Sequence, residues 1–282
     1  MFGNRVLDRL DQMLEEALNG EFKESSYDES KISRLETKWK QYLSTSCLLK
    51  ENLEKEKKNI KGLVSDISHQ TKTPMTNIRM YAQLLEESLE NGEPEQNRRL
   101  VQEIVRQTDR LDFLIQSLTK MSRLETNVVE VKPVMQEVEP LIAEVVGGAQ
   151  SKAREKEITI SCENAELYKA YYDLKWTKEA LGNIVDNAVK YSPSGSKVTI
   201  SIREYELYLD ICVQDHGIGI REEEIPKIFG RFYRSEEVHQ EEGVGIGLYL
   251  AREIVRKQDG YIKVVSTPGE GTEFHVFFRK NA

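Results

Sequence analysis

The 282-residue sequence has no uninterrupted apolar run approaching 18 residues, which excludes a hydrophobic transmembrane helix. It also lacks the leader of a secreted protein. Its first 19 residues scatter Arg5, Asp8, Arg9, Asp11, Glu15 and Glu16 among the apolar ones. The expectation is a cytoplasmic chain, either soluble by nature or following a membrane-spanning sensor encoded upstream. Cysteine is scarce: Cys47, Cys162 and Cys212 show no paired framework and no metal-ligand spacing, and read as reduced thiols in small apolar sites. There is no excess of positive charge either. A formal charge of −8 argues against nucleic acid as the main partner, because phosphate backbones demand clustered cations. No Gly-x-x-x-x-Gly-Lys-Ser/Thr loop occurs, so a P-loop enzyme is excluded.

What is present begins with periodicity. Ile32, Leu35, Trp39, Tyr42, Leu49, Leu53, Ile60, Leu63 and Ile67 recur at alternating steps of three and four, with Ser46 and Glu56 as polar interruptions. Sustained over about five heptads, this is the narrow seam of a coiled coil, and a seam requires a partner helix. The bland alternative is a long helix lying on its own domain. The seam continues through Ser65–Leu89 with only Pro74 interrupting, and Asn91-Gly92-Glu93-Pro94 reads as a turn. Leu100, Ile104, Leu111, Leu114, Leu118 and Met121 then repeat the spacing. Two such helices predict an antiparallel hairpin, and two hairpins a four-helix bundle in a homodimer.

Beyond Lys132-Pro133 the pattern changes. Glu137–Glu155, Trp176–Tyr191 and Leu248–Gln258 read as helices. Alternation at Ile158–Cys162, Val198–Ile202, Leu207–Val213, Tyr261–Val265 and Glu273–Phe278 predicts strands. Helices interspersed with mainly adjacent strands predict an α+β two-layer sandwich with its helices on one face of a mixed sheet. The expected divisions are a signalling helix or coiled coil over 1–60, a helical hairpin over 61–126, a linker over 127–133 and a catalytic domain over 134–282.

Two regions carry chemistry. In Asp66-Ile67-Ser68-His69-Gln70-Thr71-Lys72-Thr73-Pro74, His69 falls just outside the seam and should face solvent. Asp66 lies three residues earlier on the same helical face and is placed to orient the imidazole. Pro74 removes an N–H that Gln70 would otherwise accept, so the helix should bend there. A lone exposed histidine is ordinarily a bland surface residue.

In the second half, Asn183, Asn187 and Lys190 stand at i, i+4 and i+7, a polar stripe opposite apolar Ile184 and Ala188. Amide oxygens are hard neutral ligands suited to Mg²⁺, and the lysine suits phosphate; alone, the stripe reads as a solvated helix face. Asp215 with Gly217 and Gly219 follows directly on a strand. A carboxylate there can accept from the exocyclic amine of adenine and would repel the carbonyl of guanine. Phe229, Arg231, Phe232 and Arg234 read as a lid whose rings anchor it and whose cations reach phosphate. The stretch from Ser235 to Glu242 has no periodicity and should be mobile. Gly243, Gly245, Gly247 and Leu248 open onto a helix, whose N-terminus presents N–H groups to an anion. Alone, that glycine pattern is weak, and no βαβ unit surrounds it to make a dinucleotide fingerprint.

In this order the motifs resemble those of one family. The first segment resembles the phospho-acceptor box of sensor histidine kinases, closely from Asp66 to Ile78. The later ones resemble the N, G1, F and G2 boxes of the GHKL ATPase fold, and Gly269-Glu270-Gly271-Thr272-Glu273-Phe274 resembles its closing motif. The resemblance covers roughly residues 60–280. It implies ATP-dependent phosphorylation of His69, then transfer to an aspartate in the receiver domain of a response regulator. It further implies Asn187 as the Mg²⁺ ligand, Asp215 as the adenine contact, Tyr191 beside the base, Thr272 near the adenine and Gly243, Gly245 and Gly247 as the phosphate loop. Thr73 matches the residue that positions water for a phosphatase activity toward the regulator. One position departs: Gln70 stands where the family usually has an acid that accepts the histidine proton, and an amide cannot take up a proton at neutral pH. Two other readings stand beside this one. One is an ATP-driven machine of the same nucleotide fold, which would have no use for the histidine helix. The other is a degenerate kinase acting as a dimeric scaffold, favoured only by Gln70.

Overall fold

A computed structural model describes residues 31–91, 94–126, 130–163, 168–235, 238 and 243–281. The N-terminal thirty residues, the centre of the Gly92-Glu93 turn, linker residues 127–129 and most of the 235–242 segment lie outside these, as do the side chains of Ile32 and Leu35. The chain divides between Lys72 and Thr73 into two compact units.

The first long element, α1 (Lys31–Asn91), is a single helix of 61 residues that contains Pro74. Proline costs one backbone hydrogen bond here without ending the helix. Trp39, Tyr42, Leu49, Leu53 and Ile60 are all exposed on the single chain, 41% to 68% of each being accessible. A second helix is α2 (Pro94–Glu125, 32 residues). Its seam faces inward as the spacing predicts: Leu114, Met121 and Leu124 are buried and Leu100, Ile104, Leu111 and Leu118 half-buried.

The rest of the second unit is a sheet backed by helices. Strand β1 (Val134–Glu137) pairs antiparallel with β3 (Lys169–Tyr172) in a two-stranded sheet. The main sheet joins β2 (Thr159–Glu163), β4 (Lys197–Glu204), β5 (Tyr208–Gln214), β6 (Tyr261–Thr267) and β7 (Gly271–Arg279) in the order β2-β4-β5-β7-β6. Only β2–β4 is parallel, so the sheet is mixed, as expected. Helices α3 (Glu139–Glu155), α4 (Leu174–Tyr191) and α5 (Gly247–Arg256) share one core with it. Gly147 and Gly148 are accommodated inside α3.

Period-two alternation sends Val198, Ile200, Ile202, Leu209, Ile211, Val213, Phe274, Val276 and Phe278 to the helical side, where each is at most 4% exposed. From α4, Ala180, Leu181, Ile184, Val185 and Ala188 meet them. The start of α4 is fixed twice. The Asp173 carboxylate accepts the Trp176 N–H at 3.1 Å, and Gln258 Oε1 accepts from the Asp173 N–H at 2.6 Å and from the Thr177 hydroxyl at 3.1 Å. These bonds hold the helix carrying the polar stripe against the end of α5. The β1–β3 sheet is an addition to the expected architecture.

Candidate nucleotide and phospho-acceptor sites

In the first unit, Ser68 and His69 are exposed, while Ile67 and Gln70 are half-buried. The outward-facing imidazole expected from the seam is borne out. The Ser68 hydroxyl donates to the Val64 carbonyl at 2.7 Å and the Thr71 hydroxyl to Ile67 at 2.9 Å, so both are spent on their own helix. In the second unit, Thr73 is exposed and Pro74 is buried.

The sheet and α4 bring the other motifs together. Asp215 follows β5, its N–H donating to the Thr272 carbonyl at 2.9 Å and so extending the ladder toward β7. Its Oδ1 accepts the N–H of Gly217 at 2.9 Å and that of Thr272 at 3.2 Å, which leaves Oδ2 for a ligand. Burial raises the carboxyl pKa, opposed by those two N–H donors. Thr272, also buried, shares its hydroxyl with Ser266 Oγ at 2.9 Å. Ser266 Oγ in addition accepts the Ile220 N–H at 2.8 Å, tying the glycine turn to β6. Ser266 was not singled out in the sequence, because a serine in an alternating strand carries no local signal.

The glycines are required by closeness. At Gly219, with φ +71°, a Cβ would stand 2.1 Å from the Thr267 carbonyl oxygen. At Gly247, a Cβ would stand 2.9 Å from Asn183 Oδ1, so the loop lies directly against the polar face of α4. Asn183 is turned by its own Nδ2, which donates to the Glu179 carbonyl at 2.9 Å. The Lys190 ammonium lies 3.2 Å from where a Cβ of Gly243 would be and donates to the Tyr191 hydroxyl at 2.9 Å. Asn187, on the same face, is half-buried. Helix α5 begins at Gly247 with no side chain capping it, so its first-turn N–H groups remain free for an anion.

The lid is anchored by its two rings, as the sequence reading expects. Phe229 is buried in the main core, and Phe232 packs with Leu114, Leu118, Val244 and Ile246. Both rings anchor the segment. The Arg231 guanidinium binds Glu125 at 2.5 Å and the Tyr249 hydroxyl at 2.9 Å. The Tyr249 hydroxyl donates to the same Glu125 oxygen at 2.7 Å, and burial together with that acceptor pushes its pKa up to about 12. The end of α2 thus supplies the acid that holds the lid base. Arg234 donates to the Gly243 carbonyl at 3.2 Å and to that of Val238, bracing the glycine loop. Leu248 packs on the core from the first turn of α5. The site therefore gathers Asn183, Asn187, Lys190, Tyr191, Asp215, Gly217, Gly219, Gly243, Gly245, Gly247 and Thr272, with the two arginines acting as braces.

Comparison with known proteins accords with this geometry. Residues 60–127 match the His Kinase A (phospho-acceptor) domain, and residues 172–282 the Histidine kinase-, DNA gyrase B-, and HSP90-like ATPase. Sensor protein kinase PmrB of Pseudomonas aeruginosa is 30% identical over 236 residues, covering 83% of this chain and 48% of that protein. The signal transduction histidine-protein kinase/phosphatase MprB of Mycobacterium ulcerans is 31% identical over 214 residues, covering 73% and 41%. This chain spans about half the length of the curated relatives it matches. The solved structure of histidine kinase ThkA in complex with response regulator protein TrrA aligns with a TM-score of 0.66 over 83% of this chain and 66% of that one, at 21% identity, a likeness of fold. A phospho-acceptor helix followed by a histidine kinase-type ATPase domain defines a class, the two-domain protein-histidine kinases. The chain belongs to the sensor histidine kinases of two-component systems.

Proposed function

We propose that the chain phosphorylates its own His69 from Mg-ATP and passes the phosphoryl group to an aspartate in the receiver domain of a response regulator. The observation that carries this reading is the presence, in one chain, of an exposed histidine in a matched phospho-acceptor domain and a matched ATPase domain in which Asn183, Lys190, Asp215 and the glycines stand close together. Adenine would sit between Asp215 and Thr272, with its exocyclic amine donating to Asp215 Oδ2. Tyr191 would flank the base, and Lys190, the Gly243–Gly247 loop and the α5 N-terminus would hold the phosphates. The Asn187 amide is a hard neutral oxygen donor that fits Mg²⁺, with Asn183 beside it. The ion, when bound, supplies charge neutralisation for the phosphates.

In the transfer, a ring nitrogen of His69 forms a bond to the γ-phosphorus and the bond to the bridging oxygen breaks. ADP leaves with that electron pair, and the ring proton is lost. Gln70 cannot accept that proton, so it passes to water or to a phosphate oxygen. The work left to the protein is positioning and charge stabilisation. The reverse assignment of labour, with Thr73 orienting water against a phosphorylated regulator, gives a phosphatase activity; MprB bears both activities in its name.

Dimerisation belongs to the same proposal. The exposed seam of α1 and the exposed Met75, Met80, Leu84, Val101 and Val105 supply apolar surface that a second copy would bury in a four-helix bundle. No described helix is long and apolar enough to cross a membrane. A cytoplasmic location, downstream of a membrane sensor or independent of one, agrees with that.

Two variants test the reading. Asn187→Ala should lose Mg²⁺-dependent ATP binding. His69→Ala should keep nucleotide binding and lose all phosphoryl incorporation. Incorporation undiminished in His69→Ala would overturn the assignment of the acceptor.

A further inference from the structure

The sheet face turned away from the helices carries a cluster the kinase reaction does not use. Cys212 on β5 and Glu273 and His275 on β7 bring Sγ, a carboxylate oxygen and Nε2 within 4.8 Å of one another. Among the described residues this is the one grouping of three or more His, Cys, Asp and Glu side chains that close. The register explains it: Cys212 lies directly opposite His275, and Gln214 opposite Glu273. Strand alternation places Glu273 and His275 on the same face.

The separations suit a tetrahedral ion. Nε2 of His275 is 3.9 Å from Cys212 Sγ and 3.3 Å from Glu273 Oε2. Metal bonds of about 2.3 Å to sulfur and about 2.0 Å to nitrogen or oxygen place tetrahedral ligands about 3.3–3.6 Å apart. The nitrogen–oxygen pair already has this spacing, the nitrogen–sulfur pair needs to close by a few tenths of an ångström, and all three atoms lie within 4.8 Å of one another.

Each polar ligand also has a support. The Asp210 carboxylate, 1% exposed, lies 2.9 Å from His275 Nδ1. A proton held on Nδ1 by that carboxylate leaves the Nε2 lone pair directed at Cys212 and Glu273. Asp210 Oδ1 is buried with no hydrogen-bond partner, so the ring is the partner its carboxylate holds by a hydrogen bond. Glu273 Oε1 accepts from Gln214 Nε2 at 3.0 Å, leaving Oε2 toward the cluster. A histidine ligand oriented by a carboxylate, with a second ligand oriented by an amide, is the arrangement protein metal sites use to fix geometry and basicity. Arg203 opposes Asp210 and Lys263 opposes His275 in the ladder, so two cations stand across from the acids of the cluster.

We propose that Cys212, Glu273 and His275 bind one divalent ion of the zinc class, with Asp210 as the positioning residue and a fourth position open to water. Thiolate and imidazole together select zinc over magnesium or calcium. Cys212 enters as the thiolate, and its proton goes to solvent on binding. Cys212 lies three residues before Asp215 and Glu273 one residue after Thr272, so an ion there would fix the strand pair that leads to the adenine contacts. The ion site itself does not depend on the kinase assignment.

The test uses the full chain with Cys47 and Cys162 changed to serine, so that Cys212 is the one thiol. Cobalt(II) is titrated as the spectroscopic probe and then displaced with zinc. One cobalt per chain, with a thiolate-to-cobalt charge-transfer band that zinc abolishes and millimolar magnesium leaves intact, is the expected result. Asp210→Asn should keep the band and weaken affinity about 10- to 100-fold. His275→Gln, on the more open side of the cluster, should lose tetrahedral binding, with circular dichroism reporting that the fold survives. Absence of the band in the parent protein, or its persistence in His275→Gln or in Cys212→Ser, would overturn the site and leave a hydrogen-bonded Asp210–His275–Glu273 chain.

Discussion

At the scale of single residues, Gln70 is the most informative departure. It stands next to His69, half-buried while the histidine is exposed. If proton removal limits the reaction, Gln70→Glu should speed autophosphorylation by about 10²-fold or more, the usual worth of a positioned general base. An unchanged single-turnover rate would show that the proton leaves by another route. Asp215 makes a pH prediction. Burial raises its pKa, so the carboxylate proposed to accept from adenine is lost on acidification at a higher pH than for an ordinary aspartate, about 3.9. For stability the sign is opposite. A raised folded-state pKa means that protonation at this residue favours the fold, so its ionisation costs stability above that pKa. ATP affinity of wild-type protein should therefore decline on acidification at a higher pH than that of Asp215→Asn, whose weaker binding lacks this titration. Parallel profiles in a binding titration would remove Asp215 from the adenine site.

Residues this close in sequence were readable without coordinates, because helix and strand periods fix which of them share a face. His69, the stripe of Asn183, Asn187 and Lys190, and the glycine loop all stand where spacing placed them. The Arg231–Glu125 pair joins residues 106 apart, and Cys212 with His275 joins residues 63 apart. Such partners are set by topology, and no local period announces them. That is why the sequence showed Cys212 as a buried thiol without showing the residues beside it.

Among elements, strands β1 and β3 were illegible. Each has only four residues, too few for alternation to stand out from a loop, and they pair across the whole of α3 and β2. The longer strands and α4 were legible because each buries one continuous face. Ile184, fully buried on α4 behind the polar stripe, makes that face measurable. Ile184→Ala should destabilise the domain by about 2–5 kcal/mol in chemical denaturation. A loss well under 1 kcal/mol would mean that α4 is not packed as described. The lid base makes a separate prediction. Glu224 accepts from Arg221 at 3.0 Å and from the Tyr233 hydroxyl at 2.8 Å, and its pKa falls from 4.5 to about 2, chiefly through the Arg221 hydrogen bond. A depressed folded-state pKa contributes stability that is present above 4.5 and is lost as pH falls toward 2. The stability difference between wild type and Glu224→Gln should shrink across that window in pH-dependent melting.

For the whole molecule, the exposed seam of α1 is the feature a single chain leaves unexplained. Leu53 is 68% exposed and Ile60 56%. Placing Asp at both positions should shift a dimer toward monomer in analytical ultracentrifugation while leaving the α/β domain folded. An association constant unaffected by the double change would move the interface elsewhere. Coiled-coil periodicity was visible in the sequence because it repeats. The identity of the partner helix was not, because a heptad seam specifies a neighbour without naming it.

The central claim is that γ-phosphate passes from the nucleotide cradle to the exposed imidazole of His69. Incubation of the purified chain with γ-labelled ATP and magnesium, followed by mapping of the labelled peptide and its stability to acid and alkali, tests it most directly. The account predicts an acid-labile, alkali-stable phosphoramidate on the peptide containing His69. Binding of nucleotide with no label on that peptide, or label in an acid-stable ester elsewhere, would contradict it.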